Sequence, residues 1–310
     1  MSPDRYTLNN IQRVLKKPRL ALGEIRELAR KANCRYYSWT ATTGVKVMEE
    51  DWDTLIILDG CRADMFERRC PFDGEFQTRR SRGSATPEWI QENFVGGEYH
   101  DTVYLTANAY IPELVPDDTF HDVIWIIDDD WDDELGTARP DDVADRLVEV
   151  RKQYPDKRVI AHFVQPHFPF IGKIGRKFDS SKITKGKEET VVGTPWAELQ
   201  YGHNNRNVKE VWEAYCENLD LAFDALADVL DDLEGRTVIS SDHGNLAGER
   251  MHPIPARGYG HPIGLHVPKL VTVPWFVIER GERPKIVSEP PKRQNYNPTT
   301  TEQLEALGYR

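Results

Sequence analysis

Short apolar runs alternate with segments of helical periodicity from residue 54 onward. This alternation is typical of a mostly parallel sheet covered by helices on both faces, so the pattern predicts an α/β three-layer sandwich. The runs with strand character are 54–58 (TLIIL), 102–107 (TVYLTA), 122–127 (DVIWII), 158–164 (RVIAHFV), 237–241 (TVISS) and 272–278 (TVPWFVI).

The clearest predicted helix is 208–233, where apolar residues recur every three or four positions. Its Asp and Glu residues fall mainly on the opposite face, which indicates solvation rather than catalysis. The apolar stripe consists of Val208, Val211, Trp212, Tyr215, Leu219, Phe223, Leu226, Leu230 and Leu233.

The chain before the first strand has a different pattern. Residues 8–33 have the periodicity of two short amphipathic helices, broken at Pro18, with Arg and Lys on the polar face. We interpret residues 1–50 as a helical arm, either solvated and packed on the domain or binding a membrane surface or a partner.

The core pattern defines a predicted catalytic domain over residues 51–280. Within it, 171–206 lacks periodicity and is rich in Lys, Gly and Thr, which favours an insertion acting as a lid. Residues 281–310 contain several prolines and predict an extended tail with a short helix near 300–307.

Composition excludes some classes of protein. The chain has 310 residues and a net charge of −11, which argues against a general nucleic-acid binder. The four cysteines are scattered without a CxxC pair, so we expect free thiols. No apolar run of spanning length and no secretory pattern is visible, so we expect a cytoplasmic protein.

Polar residues with catalytic potential follow the predicted strands. Asp59 comes directly after 54–58, and Asp242 and His243 come after 237–241. Ligand sites in open α/β sheets lie at the carboxyl ends of strands. Two carboxylates and an imidazole form a set suited to a divalent cation such as zinc or manganese.

A hydroxyl residue begins the next predicted helix, in SRGSATPEWI (81–90). Thr86 precedes a proline and an acidic residue, which is typical of a helix N-cap. A hydroxyl at a helix N-terminus beside a metal is also suited to nucleophilic attack. Thr86 is therefore interpreted as a cap, a nucleophile or both.

Histidines follow two further strands. His167 emerges between prolines in HFVQPHFPF and is a candidate for contacting an ester oxygen, whereas His162, inside the strand, is interpreted as a core histidine. His261, His266 and Lys269 gather before the last strand as residues of a substrate or second-metal site, or of a solvent-exposed loop.

Taken in order, these segments resemble the alkaline phosphatase superfamily, most closely its sulfatase-like branch. The likeness covers about residues 52–280 and rests on LDGCRAD, on DLAFDALADVLDDLEG followed by RTVISSDHGNLAGE, and on VPWFVI. QPHFPF is similar to a histidine loop of sulfatases and lipoteichoic acid synthases.

The resemblance implies roles for individual residues. It makes Asp59, Asp242 and His243 metal ligands, with Thr86 as the metal-bound nucleophile. It implies that His167 contacts the anionic group of the substrate, and that Arg62 orients the first ligand, binds an oxyanion or forms a surface ion pair.

The chain also departs from the family patterns. Sulfatases carry a C/S-x-P-x-R motif that is oxidised to formylglycine, and none occurs here; a threonine nucleophile is more similar to the phospho-transferring branches. Ser84 is the alternative nucleophile. Of the second metal set only His261 has a counterpart, because Asp220 and Asp224 lack a suitably spaced histidine, so we expect one metal ion.

The sequence thus predicts a metal-dependent hydrolase or transferase of phosphate or sulfate esters that forms a covalent threonyl intermediate. We expect zinc or manganese rather than calcium, and an anionic ester substrate on a glycan, a lipid headgroup or a small molecule. Nucleic acid is not expected, and peripheral membrane contact would involve 8–33. The alternative is a degenerate module that binds an anionic glycan or lipid headgroup without turnover.

Overall fold

The computed structural model describes residues 18–108, 110–126, 131–132, 134–178, 194–202 and 206–292. The helices are α1 (Pro18–Thr40), α2 (Ala63–Arg69), α3 (Thr86–Phe94), α4 (Tyr110–Leu114), α5 (Pro140–Gln153), α6 (Pro195–Tyr201), α7 (Val208–Val229) and α8 (Pro268–Val271). The strands are β1 (Thr54–Leu58), β2 (Glu75–Arg80), β3 (Tyr99–Thr106), β4 (Phe120–Trp125), β5 (Trp131–Asp132), β6 (Thr137–Ala138), β7 (Arg158–Phe163), β8 (Gly235–Ser240), β9 (Leu246–Arg250), β10 (Arg257–Gly260) and β11 (Thr272–Arg280).

A seven-stranded sheet forms the centre of the fold, in the order β2-β11-β8-β1-β7-β3-β4. Its central strands are parallel, and β11 runs antiparallel to both of its neighbours. The carboxyl ends of β1, β3, β7 and β8 therefore meet at one edge of the sheet.

Alternate residues of the sheet point to opposite layers, as the strand pleat requires. Ile56 and Leu58 of β1 pack with α2, α5 and α7 on one face. Leu55 and Ile57 pack with α3 and α4 on the other. The predicted three-layer α/β sandwich is confirmed.

The structure confirms the six predicted strands within a few residues, adds strand β2 to the same sheet, and adds two two-stranded sheets, β5-β6 and β9-β10. The sequence of β2, EFQTRR, is polar and half-exposed because the strand lies at the sheet edge, so it lacks a hydrophobic signal. The predicted helix 208–233 is α7, which ends at Val229 and continues as a 3-10 turn over Leu230–Asp232.

The flanking segments are described only in part. The predicted helix pair of 8–33 is represented by α1, which begins at Pro18 and runs on to Thr40. Of the 171–206 insertion, the structure describes a 3-10 turn at Gly175–Lys177 and helix α6. Residues 179–193 and 203–205 of the proposed lid, and the whole of the helix near 300–307, lie outside the described residues, and those interpretations stay predictions.

Candidate metal centre

Three side chains meet at the carboxyl ends of two adjacent strands. Asp59 follows β1, and Asp242 and His243 follow β8, its parallel neighbour. All three are fully buried, and one potential ligand atom from each lies within 4.8 Å of the others. The structure brings together the three residues that the sequence predicts as metal ligands.

The turns that carry these residues depend on two glycines. Gly60 has a φ of +69°, which a side chain disfavours, and its N–H donates to Asp242 Oδ1 at 2.9 Å. Gly244 is needed for a different reason, because a Cβ there would lie 2.1 Å from the Lys269 carbonyl oxygen. The first turn holds the Asp242 carboxylate, and the second seats the loop against α8.

The hydroxyl of Thr86 points into the cluster. It donates to Asp242 Oδ2 at 2.7 Å and lies 3.3 Å from Asp59 Oδ2 and 3.2 Å from His243 Nε2. The prediction that Thr86 caps the helix is wrong: Ala85 is the N-cap and Thr86 is the first residue of α3. Its hydroxyl is occupied by the carboxylates rather than by the helix N–H groups.

The orientation of His243 suits it to ligation. Its Nδ1 lies 2.7 Å from the Gly244 carbonyl oxygen, an acceptor only, so Nδ1 carries the proton that is donated. Nε2 is then the nitrogen left to bind a cation, and it faces Thr86 and the carboxylates.

Asp242 is held as a carboxylate. Burial raises the pKa of Asp242. The imidazoles of His243 and His162 and the hydrogen bonds from Gly60 and Thr86 lower it by more than burial raises it, so the net change in pKa is a decrease. The N–H groups of Gly60 and His243 both donate to Oδ1, at 2.9 and 2.8 Å. The deprotonated form is the one that ligates a cation.

A histidine pair lies beside the cluster. His167 and His261 approach with their Nε2 atoms 2.9 Å apart, and the His261 ring stacks on His243 at 4.4 Å between centroids. Burial and His243 lower the pKa of His167 to about 4, so it is neutral at pH 7. The two predicted residues therefore share one proton at their contact.

Ser84 and His266, also predicted as site residues, converge on Glu88 instead. The Ser84 hydroxyl and backbone N–H donate to Glu88 Oε2, each at 2.8 Å, and His266 Nε2 lies 2.7 Å from Oε1. Burial raises the pKa of Glu88, but hydrogen bonds from His266 and Ser84 lower it to about 2. Ser84 is thus engaged with a carboxylate outside the cluster.

Arg62 and Lys269 are engaged in ion pairs. Arg62 is 4% exposed, donates two hydrogen bonds to Asp64 at 2.9 and 2.8 Å, and pairs with Glu249 at 2.5 Å. Lys269 Nζ donates to Asp64 at 2.6 Å. Arg62 forms a buried pair rather than the surface pair considered from sequence, and its donors are used within the fold.

Comparisons with known proteins give distant likenesses. No family model and no curated protein matches. Among solved structures, lipooligosaccharide phosphoethanolamine transferase A from Neisseria meningitidis matches with 14% identity over 74% of this chain and 48% of that one, at a TM-score of 0.42. This chain thus spans about half of that protein.

Two further matches cover a larger share of the matched protein. A putative sulfatase from Bacteroides thetaiotaomicron has 12% identity over 84% of this chain and 71% of that one, at a TM-score of 0.46. An alkaline phosphatase superfamily protein from Vibrio parahaemolyticus has 11% identity over 83% and 70%, at 0.39. All three are distant structural likenesses, with TM-scores below 0.5.

The structure adds residues that the sequence did not single out. Asn108, just past β3, donates from Nδ2 to Asp59 Oδ2 at 3.3 Å, and a polar residue after a strand was the available signal. Asn218 of α7 donates to the carbonyl oxygens of His167 and Pro169 at 3.0 and 2.9 Å, fixing that loop. Nothing in the helical pattern distinguished Asn218 from an ordinary polar position.

His162 lies in the core, bonded through Nδ1 to the Tyr104 hydroxyl at 2.9 Å. Its Nε2 is 4.0 Å from Asp59 Oδ2, and burial lowers its pKa to about 4.

Among the described helices, none is both long and apolar enough to cross a membrane. The cytoplasmic location expected from the sequence stays a prediction.

Proposed function

We propose that the chain is a metal-dependent hydrolase or transferase of phosphate or sulfate esters that acts through a covalent ester on Thr86. The observation that carries this proposal is the position of the Thr86 hydroxyl, 2.7 to 3.3 Å from two carboxylates and an imidazole in a fully buried cluster. A buried hydroxyl with three ligand-type neighbours is unusual for a helix N-terminus, where it would ordinarily serve as a cap.

The donor set fits one divalent cation. Asp59, Asp242 and His243 would hold it, with the Thr86 oxygen completing four donors of the O,O,N,O type that zinc and manganese accept. Two carboxylates buried this close together also require a counter-charge. When bound, the cation would lower the pKa of the Thr86 hydroxyl and offset charge on the transferring group.

The chemistry proposed for the chain itself is a double displacement. The Thr86 oxygen, its proton lost to solvent, forms a bond to phosphorus or sulfur while the bond to the leaving ester oxygen breaks. The leaving alkoxide takes a proton from solvent. Water or an acceptor alcohol then attacks the threonyl ester and restores the hydroxyl, giving hydrolysis or transfer.

The histidine pair is suited to the anionic group of the substrate. One proton of the pair lies in the 2.9 Å contact between His167 and His261, and the other is donated from His167 Nδ1 to the Phe168 carbonyl oxygen at 2.5 Å. An ester or equatorial oxygen would therefore receive a hydrogen bond from His261 in place of the contact with His167. Because His261 stacks on His243, such an oxygen would lie beside the metal ligands. We assign the pair to substrate binding and charge stabilisation.

Phosphate is favoured over sulfate as the transferred group. The chain has no C/S-x-P-x-R motif, and the position of the nucleophile is filled by a threonine at the start of α3. The substrate class is accordingly an anionic phosphoester on a glycan, a lipid headgroup or a small molecule.

The test combines metal content with turnover of aryl phosphate monoester, phosphodiester and sulfate esters. Thr86→Ser keeps a hydroxyl and should retain measurable turnover, whereas Thr86→Ala should lose at least about 100-fold, as loss of a group acting in the transition state does. Acid quenching followed by peptide mass analysis should find the phosphoryl group on the Thr86 peptide.

Ser84→Ala is the matched control, because it removes the neighbouring hydroxyl that contacts Glu88. It should leave the Thr86 ester intact. Undiminished turnover by a folded Thr86→Ala variant would rule out the nucleophile. Bound metal without turnover of any ester would support the binding-module alternative instead.

A further inference from the structure

Helix α1 presents an apolar stripe to solvent. Leu22, Ile25, Leu28, Tyr36 and Trp39 are 46%, 59%, 54%, 40% and 76% exposed. With the exposed Ala32 they are three or four residues apart, so they lie along one face of the helix over most of its length. This set, the α1 stripe, is uncovered within the part of the chain that the structure describes.

The opposite side of α1 packs on the domain through both apolar and polar groups, with Ala29 in an apolar cluster. Asn33 exchanges two hydrogen bonds with the backbone of Ile254, at 3.0 and 2.8 Å, and Arg26 donates to the Leu199 carbonyl oxygen at 3.0 Å. Gly23 packs so closely that a Cβ would lie 2.6 Å from the Tyr201 carbonyl oxygen. The largest apolar side chains of α1 thus face solvent, and α1 cannot turn its stripe inward without losing these contacts.

Basic residues accompany the stripe. Helix α1 carries five Arg or Lys residues against two Glu, in a chain whose net charge is −11. Lys31 and Arg35 are exposed and border the stripe, with the Arg35 guanidinium 4.9 Å from the centre of the Trp39 ring. A helix with an apolar face, bordering cations and an exposed tryptophan is the pattern of a segment that lies in a membrane interface.

We propose that the α1 stripe docks on the surface of an anionic lipid bilayer, with α1 lying in the interface plane. The cations favour this occupant over a second copy of the chain. A two-fold interface would set the α1 cations of one copy against those of the other, and a bilayer with anionic headgroups would neutralise them.

The docking surface adjoins the candidate metal centre. Tyr37 of α1 stacks on His266 at 6.4 Å, and His266 bonds to Glu88 in the first turn of α3, the helix that Thr86 begins. Asn33 binds Ile254, and from there the chain continues through β10 to His261. Ile263, two residues further on, is exposed, and its carbonyl oxygen lies 3.5 Å from Cys34 Sγ. Docking would place the metal centre near the headgroups; the further conclusion that a lipid phosphoester is the substrate rests on the proposed function.

Vesicle sedimentation with the full chain tests the docking. Vesicles of phosphatidylcholine with one third phosphatidylglycerol should bind the protein, pure phosphatidylcholine much less, and added salt should weaken binding. Ile25→Asp should reduce the affinity at least about tenfold, because burial of an isoleucine is lost. Lys31→Gln and Arg35→Gln should each reduce it roughly fivefold on anionic vesicles only.

Val95→Asp is the matched control. Val95 is 46% exposed like the stripe residues but follows α3, so its replacement should leave vesicle binding unchanged. Asp242→Asn should also bind vesicles normally, so docking and chemistry can fail separately. All these positions except Asp242 are exposed, and urea unfolding would confirm that the variants fold.

Three outcomes would overturn the docking. Equal vesicle binding by the parent, Ile25→Asp and Val95→Asp would remove the stripe from the interaction. A dimer that Ile25→Asp converts to a monomer, without vesicle binding by either, would make the stripe a self-interface. Vesicle binding that appears only after removal of residues 1–17 would mean that the chain itself covers the stripe.

Discussion

Removing and restoring a divalent cation should change the thermal stability of the protein by a calculable amount. The ligand atoms of Asp59 and Asp242 lie within 4.8 Å of each other in a buried site. At that separation two carboxylate charges repel by about 3 kcal/mol with an effective dielectric constant of about 20. A cation bound between them reverses this term, so the folded state should gain stability on loading.

The size of the effect follows from linkage. A ligand present at 100 times its dissociation constant stabilises the folded state by about 2.7 kcal/mol. With an unfolding entropy of about 2.1 cal/mol/K per residue, a chain of 310 residues changes its melting temperature by about 4 °C for that free energy. Higher ratios of metal to dissociation constant enlarge the shift only logarithmically.

Scanning calorimetry of chelator-treated protein, titrated with zinc, manganese and calcium in turn, measures the shift. Asp242→Asn should reduce it to below about 1 °C. Asp220→Asn removes the same charge from an exposed residue that pairs with Arg69, and should respond to metal like the parent. Identical melting with and without metal, or a full shift in Asp242→Asn, would refute the metal centre.

Three further predictions concern the surroundings of the centre. Arg62→Lys cannot replace the forked pairing and should lower the free energy of unfolding in urea by about 2 kcal/mol, while the Thr86 ester still forms. Glu88, whose pKa falls from 4.5 to about 2 on folding, stabilises the protein above pH 4.5 and loses this contribution toward pH 2, so the melting temperature of Glu88→Gln should fall less over that interval. Gly244→Ala should weaken metal binding at least roughly tenfold in calorimetric titration, because the loop must move from α8.

The convergence of the proposed metal ligands was predictable because their positions depend on one rule. Asp59 and Asp242 each follow an apolar run directly, and parallel strands place such residues at a common edge. No knowledge of loop conformation was needed beyond a turn at Gly60. The edge strand β2 was not predictable in the same way, since half-exposed polar residues there carry neither strand nor helix periodicity.

The structure was needed to distinguish the surroundings of Ser84 and Thr86, the two residues considered as nucleophile. Ser84 and Thr86 are two residues apart at the start of one helix, and the sequence left both open. The backbone conformation directs the two hydroxyls to different partners. Ser84 donates to Glu88 at 2.8 Å, and Thr86 donates to Asp242 at 2.7 Å. Only the entry angle of α3 decides between them, and sequence periodicity does not encode it.

Long-range contacts limit prediction at the histidine pair as well. His167 lies in the loop after β7, and His261 directly follows β10. Helix α1 binds Ile254, just before β10, through Asn33, and α6 binds Tyr259, within β10, through Gln200. Each of those contacts joins residues distant in sequence. The functional role of a histidine in a loop can therefore be inferred only when the position of its partner residue is known.

Helix α1 shows why an amphipathic pattern alone does not reveal which face is buried. The rule that an apolar stripe faces the core would bury Leu22, Ile25 and Trp39, yet these residues face solvent. The polar groups on the buried side have specific partners: Asn33 is paired with a backbone amide and carbonyl, and Glu27 with Arg30. Such pairing offsets the cost of burying these polar groups, but the α1 stripe stays in contact with water. Transfer of the stripe into a lipid bilayer would remove its apolar surface from water and so be favourable. The cations beside Trp39 favour an anionic bilayer.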